Sequence, residues 1–401
     1  MRSFRERYSA LNPQSTRPVQ RTFDGLPIEA IEAGSLRHNA AGEIFIGETR
    51  HSDPRLTALS SRQELQSRLY FNQPMFGAIK PTEILFLDTE TTGLAGGTGT
   101  HAFLVGVGYF SGSDFTLRQF FMRSPAEEPS LLEELRILFE QFPVLVTFNG
   151  KSFDWPLLDT RFVMHGYRLA FDFNHLDLLH PARRIWKHRL PSCSLTSLEQ
   201  EIYGIQRVGD VPGFLIPQLY FDYLRDGDAR RLRPVFAHNR ADIVTLARLL
   251  ETLLTAETAP EVELSHPEDR IGMALALLTA GELDRAEEIL ALALESPNID
   301  PTVRRRGQME LWRMLRRSGR TSEGIAMLET MCRETTRSIA VDPFPYVELA
   351  KYYEHVVRDF QKAERVIERA LRTLDLYGER SQRTALNYRL QRIQRKGTAN
   401  H

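Results

Sequence analysis

The segment "ILFLDTETTGL", residues 84 to 94, opens with four apolar residues and turns at once to Asp88 and Glu90. A short apolar run closed by turn residues reads as a buried β-strand. Residues two apart in a strand share a face, so the two carboxylates project side by side at its C-terminal end. Paired carboxylates repel each other and lose hydration there unless something cationic joins them. Such a pair suits hard cations, which take oxygen ligands.

Outward from this strand, "HAFLVGVGYF" (101–110) and "FTLRQFFMR" (115–123) read as two more strands. "PSLLEELRILFEQF" (129–142) has the apolar spacing of a helix. The apolar run "VLVTFNG" (144–150) and the helix "FDWPLLDTRFVMHG" (153–166) follow. After "DFNHLDLLH", "SLTSLEQEIYGI" (194–205) and "ARRLRPVFAHNRADIVTLARLLETLL" (229–254) read as helices. Three strands in series, then helix and strand in alternation, predict a mixed α/β sheet over residues 81–255. Upstream, residues 1–80 read as an irregular arm with one helix near "SSRQELQSRLYFNQ".

A boundary is expected in "AETAPEVELSHPE", and residues 256–401 carry no strand pattern. They show three helix-turn-helix units with turns at Gly281, Gly319 and Asp359, steps of 38 and 40 residues. Small residues (Ala286, Gly324, Ala363) stand where paired helices would approach. The spacing resembles tetratricopeptide-type repeats, so an all-α, TPR-like domain is expected, serving as a partner-binding surface or a helical cap.

A chain of 401 residues is long for one domain, and no apolar run approaches the roughly 20 residues that cross a bilayer. The polar, basic N-terminal segment has no secretory apolar core. Two cysteines, Cys193 and Cys332, cannot make a disulfide scaffold or a four-cysteine zinc site. A cytoplasmic location is the expectation, with no membrane. A net charge of −1 means that any site for a polyanion is local.

Two further acids stand in telling contexts. Asp154 begins a helix just after the Asn149-Gly150 turn, and "HNRADIVTL" sets His238 and Asp242 four apart on one helix face. On the face of a metal-binding acid, His238 is a candidate general base.

Together "LDTETTGL", "FNGKSFD" and "HNRADIVTL" resemble the three motifs of the DEDD superfamily of 3′-5′ exonucleases, which have the ribonuclease H-like fold. "FLDTETTGLAGGTGTHAFLVGVGYF" with "FNGKSFDWPLLDTR" is similar to bacterial RNase H-like proteins of the YprB type, some of which carry a C-terminal helical repeat. The resemblance implies that Asp88, Glu90, Asp154 and Asp242 bind two divalent cations, Mg²⁺ or Mn²⁺, with His238 at the general-base position. It implies phosphodiester hydrolysis in RNA or DNA by two ions about 4 Å apart. The histidine branch of that superfamily spaces its base as His-x4-Asp and the tyrosine branch as Tyr-x3-Asp; here a histidine has the x3 spacing.

Other signals are weaker. "NGKS" (149–152) lacks the first glycine of a phosphate-binding loop, Leu145 standing in its place, and reads instead as the turn that aims Asp154. Thr91 and Gly93 in the glycine-rich segment, with Asn149 and Lys151, are candidate nucleic-acid contacts. "ARRIWKHR" (182–189) adds Arg183, Arg184, Lys187 and Arg189, with Trp186 as a stacking platform. The basic tail "SQRTALNYRLQRIQRKG" reads as a solvated helix that could extend the footprint. Asp177, between His175 and His180, is a helix cap or a supporting acid, and Cys193 packs near a Ser-capped helix start. The leading expectation is a two-metal nuclease of the 3′-5′ exonuclease type. Its rivals are a scaffold protein working through the repeats with a vestigial site, and a structure-specific endonuclease.

Overall fold

A computed structural model describes residues 25–70, 79–93, 99–167, 174–335, 342–377 and 380–399. The chain forms two units, one up to Glu263 and one from Leu264 onward.

The first unit is built on a seven-stranded mixed sheet in the order β1-β2-β5-β4-β3-β6-β7. Its strands are β1 (Gly34–Asn39), β2 (Gly42–His51), β3 (Ile84–Thr91), β4 (Ala102–Ser111), β5 (Asp114–Phe121), β6 (Val144–Thr147) and β7 (Asn174–Asp177). Pairing is antiparallel from β1 through β3 and parallel across β3, β6 and β7. β3 is thus an interior strand where the antiparallel and parallel parts meet, with Ile84 to Leu87 all buried. The helices are α1 (Pro54–Ser61), α2 (Glu128–Phe139), α3 (Asp154–Met164), α4 (Leu179–Trp186), α5 (Leu195–Tyr203), α6 (Ile216–Asp226) and α7 (Arg233–Thr258).

The expected irregular arm needs correction. Residues 34–51 supply two strands of the main sheet, and β2 buries Ile44, Phe45 and Ile46 against β5. The helix of this region also lies earlier than expected. Asp53 caps it, its Oδ1 accepting from the N–H groups of Arg55 (2.9 Å) and Leu56 (3.0 Å), with Pro54 next in line. Beyond Ser61 the chain is drawn away by tertiary bonds: Arg62 makes two 2.7 Å bonds to Glu251 on α7. Residues 1–24 and 71–78 lie outside the described residues.

α7 crosses the sheet where two glycines admit it. A Cβ on Gly106 would stand 2.1 Å from the side chain of Asn239, and one on Gly108 would stand 2.5 Å from Ile243. Asn239 and Ile243 are one helical turn apart, as Gly106 and Gly108 are two apart in β4, so helix and strand meet in register.

The second unit is helical, and among its described residues there is no strand. Its helices are α8 (Pro267–Thr279), α9 (Leu283–Leu294), α10 (Pro301–Arg317), α11 (Thr321–Thr335), α12 (Phe344–Tyr352), α13 (Phe360–Tyr377) and α14 (Arg380–Ala399). The turns of the first two pairs use Gly281 (φ +86°) and Gly319 (φ +77°); the third puts Arg358 (φ +60°) in that left-handed conformation. Gly324 is required by contact, since a Cβ there would lie 2.5 Å from the Trp312 ring. No helix among the described residues is long and apolar enough to cross a membrane.

Candidate active site

Asp88 and Glu90 leave β3 on one face, opposite Gly106 and Leu104 of β4. Asp154 is the first residue of α3, and Asp242 lies one turn beyond His238 on α7. All four carboxylates are shifted upward, and Asp88 and Glu90 are raised in part by their acidic neighbours. Burial pushes Asp88 well above the ordinary carboxylate range, and Asp242, Glu90 and Asp154 push it further. Glu90 is raised by burial and then by Asp242 and Asp154. Burial lifts Asp154 to about 6 although the Thr89 hydroxyl donates to it. Asp242 is raised by burial in spite of Arg207 and His238 beside it.

The turn that presents Asp154 is held from below by Asp177. This buried carboxylate accepts from the backbone N–H of Asn149 (2.7 Å), Lys151 (3.1 Å) and Leu179 (3.1 Å). It thereby stabilises Asn149 at φ +65°, a left-handed conformation that asparagine tolerates. Gly150 is obligatory, because a Cβ would stand 2.5 Å from Thr147. Asp177 is therefore a supporting acid, and it also accepts from the first N–H of α4, whose cap position is Leu178. Its neighbour His175 bonds the Thr147 hydroxyl (2.8 Å), and burial lowers its pKa to about 4.

Three groups escaped the sequence reading. Asn239 is fully buried and donates to Asp88 Oδ2 (2.9 Å). Its Oδ1 accepts from Gln119 (2.9 Å), whose Oε1 accepts from Arg240 (2.9 Å), and Arg240 is paired with Glu32 (2.7 Å). The glycine inside a buried strand, Gly106, was the signal that something approaches β4 closely. Asp210 lies 2.7 Å from His238 Nδ1, with Arg207 Nη1 3.3 Å from the same nitrogen, and His238 Nε2 stands 3.5 Å from Asp242. Arg207 bonds Glu199 (2.6 and 2.8 Å) and Asp242, bringing one guanidinium into the acidic cluster. Arg207 and Asp210 lie in an irregular loop with no periodicity to betray them.

Among the described residues no three His, Cys, Asp or Glu side chains are drawn tightly enough to enclose a cation as they stand. Asp88, Asp154 and Asp242 each hold a protein partner, namely Asn239, Thr89 and Arg207. The donor set nevertheless suits a hard divalent ion: four buried or half-buried carboxylates in one cluster, of which only Asp242 is paired with a guanidinium.

Beside the acids lies a cavity of about 560 Å³, lined by Thr91, Gly93, Phe148, Asn149, Phe153 and Leu157 among others. Lys151 is exposed and is not in its lining. Residues 94–98 of the glycine-rich segment lie outside the described residues. On α4 and at its C-terminal cap, Arg183, Arg184 and Lys187 are exposed, but Trp186 is buried (1% exposed) and cannot stack on a base. It faces inward because the apolar stripe of this short helix includes Ala182 and Ile185. Arg189 is partly buried and pairs with Glu201 (3.7 Å).

A mixed sheet with paired acids on an interior strand, joined by acids from two helices, fits the RNase H-like class. A model described as the RNase_H superfamily matches residues 85–254, and the chain belongs to that superfamily. It is 33% identical over 319 residues, covering 78% of its own length and 75% of the relative, to the uncharacterized protein YprB of Bacillus subtilis (strain 168). Among solved structures it matches the family B DNA polymerase from the hyperthermophilic archaeon Pyrobaculum calidifontis. That match has 16% identity and a TM-score of 0.36, over 56% of this chain and 32% of that one.

Proposed function

We propose that the chain is a divalent-metal-dependent nuclease, a 3′-5′ exonuclease acting on single-stranded RNA or DNA. The observation that carries this reading is the cluster of four carboxylates with raised pKa values, Glu90 buried and Asp88, Asp154 and Asp242 half-buried, beside a cavity of about 560 Å³. That volume falls within the roughly 300–1,000 Å³ of small-molecule sites, enough for a terminal nucleotide. The exonuclease polarity and the DEDD assignment rest on the resemblance of the three motifs.

In this reading Asp88, Glu90, Asp154 and Asp242 hold Mg²⁺ or Mn²⁺. When bound, such ions supply Lewis acidity to the phosphodiester. His238 takes a proton from the attacking water at Nε2, and Asp210 holds Nδ1–H and so fixes the tautomer. Phe148 and Phe153 offer apolar surface to the base, and Asn149 orients the terminal sugar. Arg207 must release Asp242 as ions bind; its loop carries Gly204 (φ +65°) and Gly209 (φ +73°), which ease such movement.

The Arg207–Asp242 pair is also what favours the rival, a vestigial site in a scaffold protein. Cleavage of 5′-labelled single-stranded RNA and DNA with Mg²⁺ or Mn²⁺ separates the two. A ladder shortening from the 3′ end, lost in Asp154→Ala, is the expected result. His238→Ala should slow it by about 10²-fold. Internal cuts would indicate an endonuclease, and no cleavage with either metal would favour the scaffold.

A further inference from the structure

We infer that the groove along α4 carries the sugar-phosphate backbone of the single strand on the 5′ side of the nucleotide to be cleaved; this rests on the nuclease reading above. A second cavity, about 720 Å³, is bounded by Arg183, Lys187, Ser192, Ser194 and Leu195, and it shares Phe148 and Asn149 with the cavity beside the acids. Both open on the same two residues, so a strand ending at the acids has a continuous path into the groove.

Arg183 on α4 and Lys187, the residue that caps its C-terminus, stand one turn apart, about 6 Å along the helix axis. That is comparable with the distance between successive phosphates of an extended strand. Both are exposed, and neither has a carboxylate within ion-pair reach among the described residues. This is unusual for the unit, whose arginines are widely neutralised: Arg62 by Glu251, Arg123 by Glu43 and Glu127, Arg161 by Glu128, Arg240 by Glu32, Arg248 by Asp53. Two like charges at this spacing repel. An anionic ligand spanning both removes that cost. The opposite wall is the start of α5, whose N-terminal dipole has the same sign.

The grip is electrostatic. Trp186 is buried, Arg189 is held by Glu201, and Arg184 points outside the groove lining. The ligand is thus a polynucleotide strand recognised by its phosphates, without preference for base. The terminal nucleotide sits in the first cavity and the next two phosphates reach Arg183 and Lys187.

The test is binding of a fluorescent single-stranded 10-mer in EDTA over a salt series, with cleavage of a dinucleotide and of the 10-mer in Mn²⁺. The double variant Arg183→Ala/Lys187→Ala should bind the 10-mer about tenfold more weakly and lower the slope of log Kd against log salt by about 1.4, 0.7 for each single-strand phosphate. Its kcat/KM on the dinucleotide should stay within twofold of wild type. Arg184→Ala should leave the slope unchanged. The inference is overturned if the slope does not move, if Arg184→Ala lowers it equally, or if the dinucleotide loses as much as the 10-mer. Should wild type bind the 10-mer through these residues yet cleave nothing, the groove stands and the nuclease reading falls. Should it cleave while the double variant binds normally, the groove falls alone. Absence of binding by wild type sinks the groove, and the nuclease reading then stands or falls on cleavage of the 10-mer in Mn²⁺.

Discussion

In the helical unit Glu354, with a side chain wholly out of solvent, receives Arg392 (2.7 Å), Lys396 (2.8 Å) and Arg389 (3.5 Å). In the sheet unit, of the four clustered carboxylates only Asp242 is bonded to a guanidinium, that of Arg207, which Glu199 also holds. The two regions bury the same chemical group and treat it oppositely. Burial raises the pKa of Glu354, but Lys396 and Arg392 outweigh it and hold the group below its ordinary value. Burial and neighbouring acids leave Asp88 and Glu90 far above theirs. Glu128, enclosed by Arg161, His165 and His101 within the same unit as the acids, sides with Glu354. A fold able to neutralise Glu128 leaves Asp88 and its neighbours short of positive charge. Buried charge without compensation destabilises a fold, and its concentration at one strand end points to a site that serves chemistry.

The comparison can be broken by neutralising one member on each side. Asp88→Asn should cut cleavage by about 10³-fold or more, several kcal/mol of transition-state stabilisation, while thermal unfolding shows equal or greater stability. A drop in melting temperature would return Asp88 to the structural class. Asn239→Leu should lower metal affinity or cleavage about 10–100-fold, as losses of supporting hydrogen bonds do; calorimetric Mn²⁺ titration reads this directly. Glu354→Gln should instead cost about 2 kcal/mol of stability, less than for a fully enclosed pair because Arg392 and Lys396 reach solvent. Denaturant unfolding checks this, and cleavage should be unaffected.

The smallest effect sharpens the contrast by pH. The four clustered acids have raised pKa values, so at these positions the folded protein holds protons that the unfolded chain has released. Stability in EDTA should therefore fall as pH rises from the ordinary carboxylate value, about 4, through the value of about 6 for Asp154. Mn²⁺ should raise the melting temperature more at pH 7.5 than at pH 5. Scanning fluorimetry across that range would show it, and Asp154→Asn should flatten the curve.

Much of this was legible in the chain. The apolar run before Asp88, the alternations of β4 and β5 and the spacing of His238 and Asp242 are local patterns, and they led to the mixed sheet and the helical second unit. β1 was hidden because an edge strand with five exposed residues out of six has no alternation to display. β2 was readable, since "EIFIGET" has strand character, but turn residues around it masked the pattern. Arg207, Asp210 and Asn239 act through contacts distant in sequence, and composition says nothing about which carboxylate a guanidinium will find. The basic tail illustrates the limit: Arg389, Arg392 and Lys396 of α14 are turned onto Glu354.

The chain of side chains behind Asp88 has a further property. Arg240 has only protons to give, so Gln119 must present its oxygen to Arg240 and its nitrogen to Asn239, and Asn239 must then present its nitrogen to Asp88. The chain moves neither charge nor proton; it transmits orientation, one amide setting the next like cogs. Arg240→Leu, a change that touches none of the acids, would leave Gln119 Oε1 without its donor, while the Phe236 carbonyl still accepts from Gln119 Nε2 (2.9 Å). The ¹⁵N resonance of the Gln119 side-chain amide is then expected to move, while that of Asn239 stays single. The direction of one hydrogen bond at the centre of the site is backed from two residues away, by a cation that Glu32 holds still.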